Sequence, residues 1–284
     1  MKQFVFFILV VFACLQSVDA QTYTGNDFDR VSGKFSETYG TDEATLYADS
    51  MILMTQNPDF DYIYVREDEL EESGEIRWNR EGIKWFEEYG ITQKAANLQA
   101  LGEYDESIDY VGQVIDGVTY VENKYFLSYI RILSRIEIGQ YRLALQEAQE
   151  LYKSASAEMD LNKDAGVSER QTYIRGVCFA FVCMAVANKE QGNYQESLDN
   201  YYKAERVILS DTASVVRSAL YGQLLDVQTY IMQMSEFEKD PNVALKMVEN
   251  YNAYFNQFRE DAKNSEMYEN LFVDDYLLYM YIYY

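Results

Sequence analysis

Gly192-Asn193-Tyr194-Gln195-Glu196-Ser197-Leu198 is the stretch that decides the fold. A glycine, a polar residue and a tyrosine lead into a polar pair, a small residue and an aliphatic one. The same order recurs at Gly102-Glu103-Tyr104-Asp105-Glu106-Ser107-Ile108 and at Gly139-Gln140-Tyr141-Arg142-Leu143-Ala144-Leu145, where Leu143 stands in place of the glutamate of the other two. Glycine takes the left-handed backbone conformation that closes a helix. A second helix starts almost at once, so the two must pack antiparallel. The tyrosine is expected to pack at the corner. The small residue, Ser107, Ala144 or Ser197, lets the two backbones approach, and the aliphatic residue after it turns inward.

These features resemble the tetratricopeptide repeat. The third copy carries Phe181, Met184 and Ala185 on its first helix and Ser197, Tyr201 and Ala204 on its second, at that family's large, large, small and small, aromatic, small positions. The second copy offers Tyr129, Gly139, Tyr141, Ala144 and Ala148; the first offers Ala95, Gly102, Tyr104, Ser107 and Val111. A fourth pair fits residues 213–234 and 241–261 without the glycine, with Pro241 at a helix start, where proline is tolerated, and Ala244 at the small position. Gly102 and Gly139 are 37 residues apart, near the ~34 of the family, whereas Gly139 and Gly192 are 53 apart. The extra residues are expected in longer helices and in a loop over 160–168. The resemblance covers residues 91–262 and implies an all-α, right-handed α–α solenoid of tetratricopeptide-like helical hairpins.

It also implies a site. In that family the first helix of each pair lines a concave groove that holds a peptide or protein segment. The corresponding positions are Phe126, Tyr129, Leu133 and Ile136 in the second copy, Phe179, Val182, Val186 and Lys189 in the third, and Tyr230 and Gln233 in the fourth. They are apolar for an open groove. Two readings therefore stand side by side, a hydrophobic ligand groove with aromatic anchors and an aromatic stripe buried as core.

Outside the repeats, Lys2 and the apolar run 4–15 have the length of a secretory h-region, too short to span a bilayer, which needs roughly 20 residues. Val18-Asp19-Ala20 suits signal-peptidase cleavage, making 1–20 a signal peptide; Val11-Phe12-Ala13-Cys14 offers the rival reading of a lipoprotein box with Cys14 acylated. Residues 21–41 lack a clean period and read as an irregular lead-in. Helices are expected over 42–56, started by Thr41 or Asp42 and stopped at Asn57-Pro58, and over 75–88, closed by Gly90. Residues 59–74 are ambiguous, with strand-like Tyr62-Ile63-Tyr64-Val65 before the acidic run 67–72. The lead-in and N-terminal helices thus span 21–90. Residues 263–284 read as the first helix of a further repeat; their aromatic end suggests a fragment, a folded-back segment or a partner-covered face.

Composition narrows the chemistry. With 47 acidic against 24 basic residues the formal net charge is −23, which repels nucleic acid and anionic lipid. Two prolines permit long helices almost everywhere. The absence of histidine excludes a Ser-His-Asp triad, a Cys-His dyad and histidine-ligated metal. Asp160-Leu161-Asn162-Lys163-Asp164-Ala165-Gly166 resembles the start of a calcium loop, but Ala165 occupies the required glycine position and the twelfth residue is Gln171. The run 67–72 has nothing apolar beside it to raise a carboxyl pKa and reads as a solvated face. Cys178 and Cys183, five apart on one helix, point roughly 140° apart and read as small core residues. No phosphate loop or basic patch is present in the sequence, and no cofactor is implied.

The expectation is an exported, periplasmic or envelope-associated protein that binds a protein or peptide and does no catalysis, such as the sensory part of a bacterial signalling protein. The alternatives are an envelope assembly scaffold anchored through Cys14 and a carbohydrate- or nutrient-binding helical protein using tyrosines to stack on sugars.

Overall fold

The computed structural model describes residues 23, 25–58, 60, 63–64, 76–77, 80–162, 166–210 and the single positions 227, 230–231, 242, 245, 249–250, 252–253 and 256. The fold is all-α. The described residues form eight helices in chain order: α1 (Gly25–Glu37), α2 (Asp42–Gln56), α3 (Arg80–Ala100), α4 (Tyr104–Val114), a short 3-10 turn (Ile115–Gly117), α5 (Val121–Glu137), α6 (Tyr141–Leu161), α7 (Val167–Glu190) and α8 (Tyr194–Ser210). A two-residue antiparallel pair, β1 (Ile63–Tyr64) with β2 (Ile76–Arg77), lies between α2 and α3. The chain divides into two compact units, residues 1–110 and 111–284.

In the first unit α2 packs against both α1 and α3. Helix α1 occupies part of the stretch expected to be an irregular lead-in. Its composition is poor for a helix, with Gly33 and several Ser and Asp residues, but Phe28, Val31 and Phe35 fall at i, i+3 and i+7 and are all buried. Burial of that face decides against local propensity. Helix α2 matches its expected limits: Thr41 caps the N-terminus by accepting from the Ala44 amide at 3.4 Å, and Asn57 ends it. Helix α3 begins later than expected and continues well past Gly90. That glycine serves a close approach, since a Cβ there would lie 3.0 Å from Ile52 Cγ1 and 3.3 Å from Met51 Cβ. Phe28 meets Phe86 edge-on at 5.2 Å, and Trp85 stacks on Tyr89 at 5.6 Å.

In the second unit α5 packs on α6, α6 on α7 and α7 on α8, and α5 also touches α7. Helix α7 is therefore covered on several sides. Its apolar residues run nearly all round, as they must in a helix with so little exposed surface. Ile174, Val177, Cys178, Phe181, Cys183 and Ala185 are all buried. The two cysteines are free thiols in this core, and burial pushes the Cys183 thiol well up. The 53-residue interval is taken up mainly by helix length: α6 has 21 residues and α7 has 24, against 17 in α5. Asp160 and Leu161 lie on α6 and Val167 opens α7, so the loop expected over 160–168 overlaps both helices; residues 163–165 lie outside the described residues. No group of three or more metal-ligating residues forms among the described residues.

Each helix pair closes on a glycine with positive φ: Gly102 (+81°), Gly139 (+77°) and Gly192 (+78°), and also Gly40 (+81°) between α1 and α2. The three glycines of the repeated motif make one hydrogen-bond pattern. Gly102 N donates to Gln99 O at 3.0 Å and Glu103 N to Leu98 O at 3.0 Å; Gly139 N and Gln140 N donate to Ile136 O and Arg135 O at 2.9 and 2.8 Å; Gly192 N and Asn193 N donate to Lys189 O and Asn188 O, both at 2.9 Å. These paired bonds satisfy the last carbonyls of the first helix. The next helix begins two residues after each glycine, and Ser107, Ala144 and Ser197 are completely buried where the two helices meet. Tyr194 departs from its expected corner packing and is 42% exposed, whereas Tyr141 lies against the core. The Gly40 turn is built differently: its amide donates to the side-chain oxygen of Asn97 on α3 at 2.7 Å.

The expected fourth pair, the segment 263–284, the signal segment 1–20 and the acidic run 67–72 lie outside the described residues, apart from isolated helical positions such as Tyr230 and Ile231. No helix among the described residues is long and apolar enough to cross a membrane.

Candidate functional site

Helices α5 and α7 are the first helices of two consecutive glycine-closed hairpins, and the expected groove residues divide between their surface and their core. On α5, Phe126, Tyr129 and Leu133 are half-buried at i, i+3 and i+7. Ile136, one further step along, is 2% exposed and belongs to the core. On α7, Phe179, Val186 and Lys189 are half-buried, whereas Val182 is 6% exposed and is also core. The correction at Ile136 and Val182 has one cause. Each lies where its helix is covered by neighbours: Val182 on α7, which α5, α6 and α8 enclose, and Ile136 on α5, which packs on both α6 and α7.

Three of the residues that remain at the surface, Phe126, Tyr129 and Phe179, are in contact with one another. Tyr129 stacks on Phe179 with centroids 4.4 Å apart and rings 20° from parallel. Phe126 lies 6.3 Å from Phe179 and 6.5 Å from Tyr129. This is an aromatic platform spanning two helices, packed below against the core and open above. Such a surface can take an aliphatic or aromatic side chain by stacking and burial. Tyr230 stacks on Tyr201 of α8 at 5.2 Å. Gln233 lies outside the described residues.

Sequence reasoning passed over a second concavity, between α5 and α6. The walls carry Lys124, Ser128 and Arg131 from α5 and Glu147, Glu150 and Glu158 from α6. In the sequence each of these residues reads as part of an ordinary solvated helix face. Their helical spacing shows only that they share a side of each helix; it cannot show that the two sides face one another.

Arg131 Nε and Arg135 Nε each donate to a different oxygen of Glu147 at 3.0 Å, so one carboxylate ties two successive turns of α5 to α6. Arg135 also donates to Gln140 Oε1 at 2.6 Å, beside the Gly139 turn. All three charged groups are mostly buried, and the arrangement fixes how α5 and α6 slide against each other.

The fold and these surfaces define the chain as an all-α protein of packed helical hairpins. Comparison with protein-family models, with curated proteins and with solved structures finds no match.

Proposed function

We propose that this chain is a non-catalytic binding protein of tetratricopeptide-like hairpins, working outside the cytoplasm, whose α5–α7 platform holds a peptide or protein segment. The stack of Tyr129 on Phe179 carries this reading. It places two half-buried aromatic rings across the first helices of successive hairpins, where tetratricopeptide arrays hold their ligands. The matching Gly139 and Gly192 turns support the repeat register, and contact of α5 with α7 is what successive hairpins of a right-handed solenoid would make. A surface of strong negative formal charge favours a segment with basic residues flanking its apolar anchor.

The test is selection from a random peptide display library against the full chain. Enriched peptides should carry an aliphatic or aromatic anchor. Their affinity should fall at least roughly tenfold on Leu133→Asp or Val186→Asp, as loss of a buried apolar anchor predicts, with the far-UV circular dichroism unchanged. Recovery of no enriched sequence, or full binding by both variants, would remove the reading. Export is tested separately by mass spectrometry of protein from its natural host: a chain beginning at Gln21 supports it, and one beginning at Met1 removes it.

A further inference from the structure

The cavity between α5 and α6 has a volume of about 510 Å³. Its α5 wall uses Lys124, Tyr125 and Ser128, not the Phe126, Tyr129 and Leu133 set of the aromatic platform, so it is a separate site. Three features define what it can hold.

The first is charge. Glu147 is already shared by Arg131 and Arg135. That trio carries one net positive charge, which together with the Lys124 ammonium is set against the three carboxylates of Asp116 in the 3-10 turn, Glu150 and Glu158. Glu150 accepts from Gln146 Nε2 at 3.1 Å and Glu158 from Asn162 Nδ2 at 3.2 Å. Both donors are neutral amides and leave the negative charge uncompensated. The cavity thus favours a cation and rejects an anion.

The second is a hydroxyl without a partner. Tyr125 is 6% exposed, lines the cavity, and its buried hydroxyl makes no hydrogen bond. Burial, reinforced by the Glu158 carboxylate, pushes this hydroxyl up to about 12, so it stays neutral. The Ser154 side chain approaches this hydroxyl and acts to lower the value, but the contact falls short of hydrogen-bond geometry. A buried polar group left unpaired is costly, and an occupant that bonds it removes the cost. The third feature is apolar: Val121, Ile132 and Leu151 form part of the wall and suit an alkyl stem.

We infer that the α5–α6 cleft is a binding site for a primary alkylammonium, with its N–H donors shared among Tyr125, Ser154 and Glu158 and its alkyl stem against Ile132 and Leu151. The three donors of an ammonium match three acceptors of different kinds at one end of the cavity. The ligand is either a free diamine or the side chain of a lysine on a partner.

The experiment is calorimetric titration of the full chain with 1,5-diaminopentane and, separately, with the tripeptide acetyl-Gly-Lys-Gly-amide. Saturable one-to-one binding of either probe is expected. Stronger binding of the diamine assigns a free amine, and stronger binding of the tripeptide assigns a lysine side chain. Tyr125→Phe and Glu158→Gln should each weaken the better probe roughly tenfold, the scale of a hydrogen bond to a charged group. Glu150→Gln, at an exposed position, should weaken it with no effect on folding, and keeps the test valid if a change at Tyr125 disturbs the core. Asp199→Asn, an exposed acid on α8, should leave binding unchanged. Absence of saturable binding by both probes, wild-type affinity in the cleft variants, or an equal loss in Asp199→Asn would each overturn the assignment.

Discussion

Tyr125 of α5 lies in space that only a glycine at position 176 leaves open. A Cβ built on Gly176 of α7 would sit 2.5 Å from Cδ2 and 2.6 Å from Cε2 of the Tyr125 ring, and 3.0 Å from Ala155 Cβ on α6. Three helices therefore meet at one residue without a side chain, and the ring that fills the gap belongs to a residue that lines the α5–α6 cavity. Gly176→Ala should destabilise the protein by about 1–3 kcal/mol through overpacking, read as a lower urea midpoint. Gly33→Ala, on an exposed part of α1 with no atom within 4 Å of the added Cβ, should instead stabilise by up to about 1 kcal/mol. Equal effects of the two substitutions would show that the Tyr125 ring can move aside freely.

The turn glycines present the opposite case. A Cβ at Gly139 or Gly192 would touch nothing within 4 Å, yet both sit at φ near +77°. Gly139→Ala and Gly192→Ala should each cost about 1–2 kcal/mol, from the left-handed backbone alone. Asn at either position should cost less than Ala, because asparagine tolerates that conformation. Equilibrium urea unfolding of the paired variants measures the difference, and a greater loss with Asn than with Ala would contradict a conformational origin.

Asn97 acts as the clasp of the Gly40 turn. It accepts from the Gly40 amide at 2.7 Å and donates to Thr41 O at 2.9 Å and to Thr45 Oγ1 at 2.8 Å. Asn97→Ala leaves these groups without their partner in a fully buried setting and should cost about 1–3 kcal/mol. Hydrogen exchange gives the specific signature: the Gly40 amide should lose protection while the Gly139 amide, bonded to its own helix, keeps it.

Glu87 makes the first unit sensitive to acid. Burial pulls its carboxyl pKa upward, but hydrogen bonds from Lys84 at 2.7 Å and Gln56 at 3.0 Å outweigh that and hold it below its ordinary value of 4.5. A depressed folded-state value means the contribution is present above 4.5 and is lost as pH falls through the lower, folded value. Glu87→Gln should therefore flatten part of the acid side of the stability–pH curve and change the neutral side little. Urea midpoints measured across that range decide it; an unchanged acid limb would assign the sensitivity to other carboxylates.

Much of the hairpin architecture is legible in the sequence, because its determinants are local. A glycine that must be left-handed, a small residue five positions later and apolar residues at helical spacing mark Gly102, Gly139 and Gly192 directly. The Gly40 turn carries the same backbone conformation and escaped notice, since it lacks the tyrosine and relies on Asn97, 57 residues away. Helix α1 escaped for a related reason. Its residues are weak helix formers, and the helix exists because Phe28, Val31 and Phe35 find α2 and α3 to pack against. Gly90 reads as a helix stop in isolation and is instead the point where α3 comes close to α2.

By itself the sequence determined the helical class, the three matched turns with the antiparallel pairing they force, and the exclusion of histidine chemistry, all properties of residues next to one another in the chain. Only the tertiary structure decided which apolar groove residues stay open. It assigned Ile136 and Val182 to the core and brought Tyr129 onto Phe179, because exposure depends on how many neighbouring helices enclose each one. It alone set Tyr125 against Gly176 and placed the Glu150–Glu158 face of α6 opposite Lys124 and Ser128 of α5. Helical periodicity fixes which residues share a side; packing alone fixes what that side meets.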